Sequence, residues 1–338
     1  MTTLTTRHRF ARVQRAATAV LFVAALGGGL AACSASDAGG AAAVAGEVAN
    51  ESPFDLTTAG QADRPRIEEV PEAVAALKAS GFEPVTDGKL TVASNAFTPP
   101  SAFFAEDDNK TLLGGDPDIA LLVADGLGLE YEPVSVAWAD WPLGVESGKY
   151  DLVASNVTVT EERKDLFDFA TYRADKLSFA VPTPSEVESI SEAKDISGLK
   201  VYAGSGTNQE GIVLEWIAEN EKNGIDPGEI VYFEDDSAAR LAMLSGRIDA
   251  LFQPSVANAY SAAVDGQTKV VGTVPGGYPH DAQIALGTAK GNGLIEPVAI
   301  VLNHIIESGD YDAVFERWGL QDDAVTESVV NPAGIPRP

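Results

Sequence analysis

The sequence predicts an α/β fold built as two compact units, and three observations carry that expectation. From Lys89 onward, short β-branched runs alternate with helical patterns, the arrangement of a parallel sheet covered by helices. The alternation starts afresh after a proline-rich junction, Pro-Thr-Pro at 182–184. Of 338 residues, the first 32 read as an export signal, and the remaining 306 suffice for two cores rather than one.

The elements follow in order. Arg7, Arg9, Arg12 and Arg15 form a basic stretch, 16–30 carries no charge, and Leu-Ala-Ala-Cys follows at 30–33. This resembles a bacterial lipoprotein signal, in which Cys33 becomes the lipidated amino terminus and the apolar run is too short to be a membrane span. Residues 33–55, rich in Ala, Gly and Ser, read as a flexible linker. Residues 56–87 form an amino-terminal extension whose segment 72–81 is expected to be a helix packed outside the main fold. Leu-Thr-Val-Ala-Ser at 90–94 is a first strand. Asp116 as N-cap and Pro117 as first helical residue then open a helix with Ile119, Leu122, Val123 and Leu127 on one face. A short helix ending near Gly148 leads to a strand at 150–155. The second unit has strands at 199–204, 229–233 and 247–252, with helices from Thr207 and Ser237. Ile212, Val213, Trp216 and Ile217 form a core stripe on the first of these helices. The run Ile-Ala-Leu-Gly at 284–287 is expected to cross back into the first unit, before two final helices faced by Leu294 to Ile305 and Tyr311 to Trp318.

Charge and composition exclude several classes. The formal net charge is −27, and −31 once the four arginines of the signal are removed, which argues against nucleic acid or anionic lipid as surface partners. The single cysteine leaves no disulfide and no thiolate metal site. His280 and His304, the histidines past the signal, lack metal-ligand spacing. No calcium-type loop, His-Glu-x-x-His, Gly-x-Ser-x-Gly or Walker sequence occurs, so no metal and no cofactor is expected.

Ordered motifs run from 88 to 320: Pro-Pro-Ser-Ala-Phe-Phe (99–104), Leu-Leu-Gly-Gly-Asp-Pro-Asp-Ile-Ala (112–120), Asn-Val-Thr-Val-Thr-Glu-Glu-Arg-Lys (156–164), Gly-Ser-Gly-Thr-Asn-Gln-Glu (204–210), Leu-Ser-Gly-Arg-Ile-Asp-Ala (244–250) and Tyr-Asp-Ala-Val-Phe-Glu-Arg-Trp-Gly (311–319). Together they resemble the extracellular solute-binding proteins of amino-acid ABC transporters, of the type 2 periplasmic-binding fold. The resemblance implies an α/β clamshell whose two lobes, joined by two crossover hinge strands near 177–181 and 283–287, close on a small ligand and dock on a membrane permease. It divides the chain into lobe 1 at 88–180, lobe 2 at 181–280, a return to lobe 1 at 281–320 and a tail at 321–338.

The resemblance also nominates a site. Arg163, in the Thr-x-x-Arg position, would grip a ligand carboxylate, chemistry that suits a planar guanidinium able to form two parallel hydrogen bonds. Ser155, Asn156 and Thr158 lie upstream where a strand ends, and Thr160 could cap the helix that follows. From the second lobe, Gly206, Thr207 and Asn208 would lead into a helix amino terminus that favours an anionic group. Phe97, with Thr98, and Trp138 fall where relatives place pocket aromatics. One departure stands out: Pro254 occupies the place of the usual aspartate that pairs with a ligand ammonium. Either another acid, with Glu210 ranked ahead of Asp140 and Asp281, takes that role, or the ligand lacks a standard α-amino group.

The expected function is therefore a monomeric, lipid-anchored, extracytoplasmic protein, not an enzyme, that captures a small carboxylate-bearing solute, amino-acid-like and zwitterionic or anionic at one end, for an ABC importer. A dehydratase-like enzyme on the same fold and a ligand-sensing lipoprotein are the alternatives.

Overall fold

A computed structural model describes residues 52–337; the signal, Cys33 and most of the linker lie outside them. The chain enters through a single 3-10 turn and helix α1 (Pro71–Ser80), then β1 (Lys89–Ser94), a small hairpin of β2 (Phe103–Phe104) and β3 (Leu112–Leu113), α2 (Gly115–Leu127), β4 (Glu130–Ser135), α3 (Trp141–Glu146), β5 (Leu152–Thr158) and the long β6 (Phe167–Pro182). There follow β7 (Lys200–Tyr202), α4 (Asn208–Asn223), β8 (Glu229–Val231), α5 (Asp236–Leu244), β9 (Ala250–Pro254), α6 (Ser255–Asp265) and β10 (Thr268–Pro275). The chain then returns through β11 (Ala282–Ala289), α7 (Ile295–Ser308) and α8 (Asp310–Trp318).

Strand pairing shows how two lobes share one chain. The order β4-β1-β5-β11-β6-β9-β7-β8 forms a continuous path, with β10 also on β6. The first half of β6, up to Asp175, pairs antiparallel with β11; from Lys176 onward it pairs with β10 and from Leu177 with β9. The changeover thus falls at Asp175–Lys176, just before the 177–181 span the resemblance implied. The return passes through the loop between Pro275 and Ala282 rather than at 283–287, which already pairs inside the first lobe.

Burial on both sheet faces explains the alternating apolar runs. Leu152 and Ala154 of β5 join the cluster of α2, α7 and α8, while Val153 faces the other cluster with Trp141, Phe167 and Phe169. In the second lobe Phe179, Trp216 and Phe252 stack at the centre, with Val213 of α4 beside them. The stripe read from 212 to 217 is this contact.

Two expectations change. Helix α2 starts at Gly115, not after an Asp116 cap: the Gly115 and Asp116 amides donate to the Pro100 and Ser101 carbonyls, so no side-chain cap is needed. That approach requires Gly114, at φ 125°, where a Cβ would lie 2.3 Å from the Ser101 oxygen. Asp116 is thereby released for other work. Helix α1 is not outside the fold, because Val70 and Ala73 are buried in the first-lobe core and the Val70 amide donates to Gly126 O. Arg64 on Asp118 and Arg66 on Asp125, each at 2.5 Å, fasten the segment before it. Residues 321–337 also lie on the first lobe, bridging Val330 to Ala170 and Ile335 to Thr160.

Candidate ligand-binding site

Between the lobes lies a cavity of about 420 Å³. Its first-lobe wall comes from the segment after β1 (Asn95, Phe97, Ser101), the start of α2 (Asp116), the turn after β4 (Trp138) and β5 itself (Asn156). The second-lobe wall comes from the ends of β7 and β9, the segment after β8 and the starts of α4 and α5: Tyr202, Gln209, Phe233, Asp236, Gln253 and Pro254. Ligand crevices form at the carboxyl ends of parallel strands because the loops there are free to diverge.

The nominated residues divide. Phe97, Trp138, Ser155, Asn156, Thr207 and Asn208 line the cavity; Thr98, Thr158, Arg163, Gly206 and Glu210 do not. Ser155 Oγ accepts the Asn95 amide at 2.9 Å, tying the ends of β1 and β5 together. Asn156, at φ 49°, accepts from the buried Arg173 guanidinium. Thr98 serves the local turn through its bridge to Ala102.

Arg163 sits at the edge of the cleft, in a 3-10 turn whose first amide is capped by Thr160 Oγ1 at 3.0 Å. Its Nη1 donates to Thr158 O at 2.8 Å, and its Nη2 crosses to Gly206 O of the second lobe at 3.2 Å. The guanidinium lies 5.4 Å from the centre of the Trp138 ring. Desolvation pushes its pKa down to about 10, partly opposed by Asp175, so it is cationic at neutral pH. Its hydrogen-bond partners are neutral carbonyls, and no carboxylate pairs with it among the described ion pairs.

Thr158 and Asn208 are committed elsewhere. Both donate to Asp175 Oδ2, at 2.7 and 3.1 Å, and Asn208 Nδ2 also donates to Gly276 O at 2.6 Å. Asp175 stands at the strand changeover, so this cluster joins the first lobe, the second lobe and the return loop. Burial raises the Asp175 pKa, against the Thr158 bond and the nearby Arg173.

At the start of α4, Thr207 Oγ1 accepts the Glu210 amide at 3.2 Å, an N-cap. Glu210 itself is spent: Oε2 accepts the Gly206 amide and Oε1 the Tyr232 hydroxyl, both at 2.7 Å. Pro254 lines the cavity and offers neither charge nor N–H, yet Glu210, Asp140 and Asp281 all lie off the wall. The carboxylates on the wall are Asp116, Glu234, Asp235 and Asp236, which the sequence reading did not nominate. Asp236, first residue of α5, accepts Tyr202 OH at 2.9 Å and Gln253 Nε2 at 2.6 Å, both on Oδ1. Desolvation raises its pKa above the ordinary aspartate value. The acidic run Glu-Asp-Asp-Ser after β8 was the available signal, but the general acidity of the chain concealed it.

Among the described residues no cluster of acids, histidines or cysteines could hold a metal, and no helix is long and apolar enough to cross a membrane.

Comparison with known proteins places this geometry. The arginine-binding protein ArgT of Corynebacterium glutamicum is 28% identical over 265 residues, 78% of this chain and 84% of that protein. The L-cystine-binding protein TcyJ of Escherichia coli K12 is 29% identical over 235 residues, 68% of this chain and 82% of that one. Among solved structures, an ancestral arginine-binding protein bound to arginine superimposes with TM-score 0.60 at 27% identity, over 68% of this chain and 98% of its own. An ancestral amino-acid-binding protein described as a precursor of cyclohexadienyl dehydratase gives 0.59 at 26%, over 72% and 98%. The two-lobed architecture is thus the type 2 periplasmic-binding clamshell. Residues 90–321 match the profile of the bacterial extracellular solute-binding proteins, family 3, and the chain belongs to that family.

Proposed function

We propose that this protein captures an amino acid outside the cytoplasmic membrane and hands it to the permease of an ABC importer, held at the membrane by lipid on Cys33 and acting as a monomeric carrier rather than an enzyme. The observation that carries the ligand reading is the Arg163 guanidinium: charged, desolvated, beside Trp138, and touching both lobes through neutral acceptors. A ligand carboxylate in place of those carbonyls gives shorter, charge-assisted bonds. The arginine- and cystine-binding relatives support the amino-acid class. His280 and His304 lie off the cavity wall, which supports a carrier over acid–base catalysis. The test is calorimetry with ligand-free protein across the amino acids. Arg163→Ala should weaken the best ligand by about 3 kcal/mol, more than 100-fold. Unchanged affinity would remove the carboxylate clamp, and conversion of the recovered ligand would make the protein an enzyme.

A further inference from the structure

We propose that residues 52–54 form a strap that stabilises the closed clamshell, with the Phe54 ring as a wedge gripped by one aromatic residue from each lobe. The segment that follows is fixed to the first lobe alone. Leu56 is buried in the first-lobe core, and its carbonyl accepts the Glu106 amide at 2.9 Å. Thr58 donates to both Asp107 oxygens, through its amide at 2.8 Å and its hydroxyl at 2.6 Å, and Gly60 O accepts Arg317 Nη2 at 2.6 Å. Just before this anchor the chain reaches the other lobe. Phe54 packs 5.6 Å from the Trp318 ring of α8 and stacks on Tyr260 of α6 at 5.7 Å, 16° from parallel. Ser52 Oγ accepts the Tyr260 hydroxyl at 3.3 Å and the Phe54 amide at 3.1 Å.

Helix α6 belongs to the second lobe: it runs from β9 to β10, both paired with the second half of β6, and Asn258 Nδ2 donates to Ser178 O at 2.8 Å. Yet its Val256 and Tyr260 pack against the first-lobe core, where Phe54 lies between Tyr260 and Trp318. Trp318 is held in place, fully buried with its Nε1 donating to Asp118 Oδ2 at 2.8 Å. A rotation that parts the lobes at the Asp175–Lys176 changeover carries Tyr260 away from Trp318, so Phe54 keeps one ring or the other but not both. A stacked ring pair of this kind shifts an equilibrium by about 2- to 10-fold. Neither Phe54 nor Tyr260 lines the cavity, so the strap acts on the open–closed balance and raises the affinity of every solute that needs the closed form by one common factor. The family profile begins at residue 90, so the strap is an addition of this chain to the clamshell. Closure also fixes the point from which the chain continues toward Cys33.

The experiment measures lobe separation without ligand, by double electron–electron resonance between spin labels at Leu143→Cys of α3 and Leu241→Cys of α5, both well exposed, in a Cys33→Ser background. Phe54→Ala and Tyr260→Ala should each raise the ratio of long to short distances about 2- to 10-fold, and the double variant should add little, because losing either ring ends the shared contact. In calorimetry with L-arginine and L-glutamine, Phe54→Ala should weaken both by the same factor. A folded Phe54→Ala variant with an unchanged distance distribution overturns the proposal even if its melting temperature falls, since that combination is the mark of packing on the first lobe alone. A loss of affinity confined to one of the two solutes overturns it as well. If the wild type binds neither amino acid, the amino-acid reading weakens, while the ligand-free distances still uphold or overturn the strap.

Discussion

Removing residues 329–338 should loosen ligand binding without dismantling the lobes, because this segment straps the turn that carries Arg163. The strap exchanges two main-chain bonds with the segment before Arg163: the Glu161 amide donates to Ile335 O at 2.9 Å, and the Ile335 amide to Val159 O at 3.0 Å. Lys164 Nζ reaches Pro332 O at 2.9 Å, the Gly334 amide reaches Glu161 Oε1 at 2.8 Å, and Arg337 grips both Asp165 oxygens. Asn331 fastens the other end, exchanging bonds with Phe169 and Asp168. Main-chain bonds contribute about 1 kcal/mol each, and fixing one residue costs about 1–2 kcal/mol of backbone entropy. If one or two residues around Arg163 become mobile and must be reordered by the ligand, affinity falls by about 1.5–3 kcal/mol, roughly 10- to 100-fold. Calorimetry on the truncated chain, with circular dichroism to establish folding, measures this. Full-strength binding by a folded truncation would refute the reasoning. Gly334→Val offers the same test in the intact chain, since a Cβ there would meet Thr160 C at 2.8 Å.

Further outcomes follow from the same geometry. Gly276→Ala would place a Cβ 2.1 Å from Asp175 Cγ, so it should destabilise by about 1–3 kcal/mol in thermal unfolding and disturb the Thr158–Asp175–Asn208 cluster. Trp138→Ala removes the ring beside Arg163 and part of the cavity wall; ligand affinity should drop about 10-fold, and the lost packing on Trp141 should lower the melting temperature as well. Burial raises the folded pKa of Asp116, Asp175 and Asp236, so they favour folding more as pH falls from neutral through those raised values. Asp107, Asp108 and Glu161, lowered chiefly by hydrogen bonds, lose their contribution below the ordinary carboxylate range, so melting temperature against pH should peak on the mildly acidic side.

Periodicity made most helices and strands legible in the sequence, since apolar residues bury one stripe of α4 or both faces of β5 whatever the tertiary context. Boundaries drifted where backbone partners rather than side chains decide them. The strand read at 247–252 runs Ala250–Pro254, and α2 begins on carbonyls of Pro100 and Ser101 that no local rule supplies. The site was half legible. Arg163 and Trp138 stand together as motif residues, but Thr158 and Asn208 are drawn off by Asp175, and Glu210 by Tyr232, 22 positions away. Such competition is settled by which groups the fold brings within 3 Å, and sequence spacing carries no record of it.

The orientation of a bound solute follows from how the sequence treats two similar helix ends. Both α4 and α5 present their first turn to the cavity, through Asn208 and Gln209 in one case and Asp236 and Ser237 in the other. Each end carries about half a positive charge from its backbone. At α4 the lining residues are neutral, Glu210 in the first turn is held off the wall by the Gly206 amide and the Tyr232 hydroxyl, and Arg163 adds its charge where Nη2 meets Gly206, two residues before the helix. At α5, Asp235 and Asp236 reverse the sign locally. A single fold device, the helix amino terminus, thus becomes an anion-attracting end in one place and a cation-attracting end in the other. Under the proposed function, an amino acid would have its carboxylate drawn to Arg163 and the α4 start, and its positive group toward α5. Because Arg163 belongs to the first lobe and both helices to the second, the full set of these proposed contacts would exist only with the lobes closed, and such a difference in affinity would drive closure.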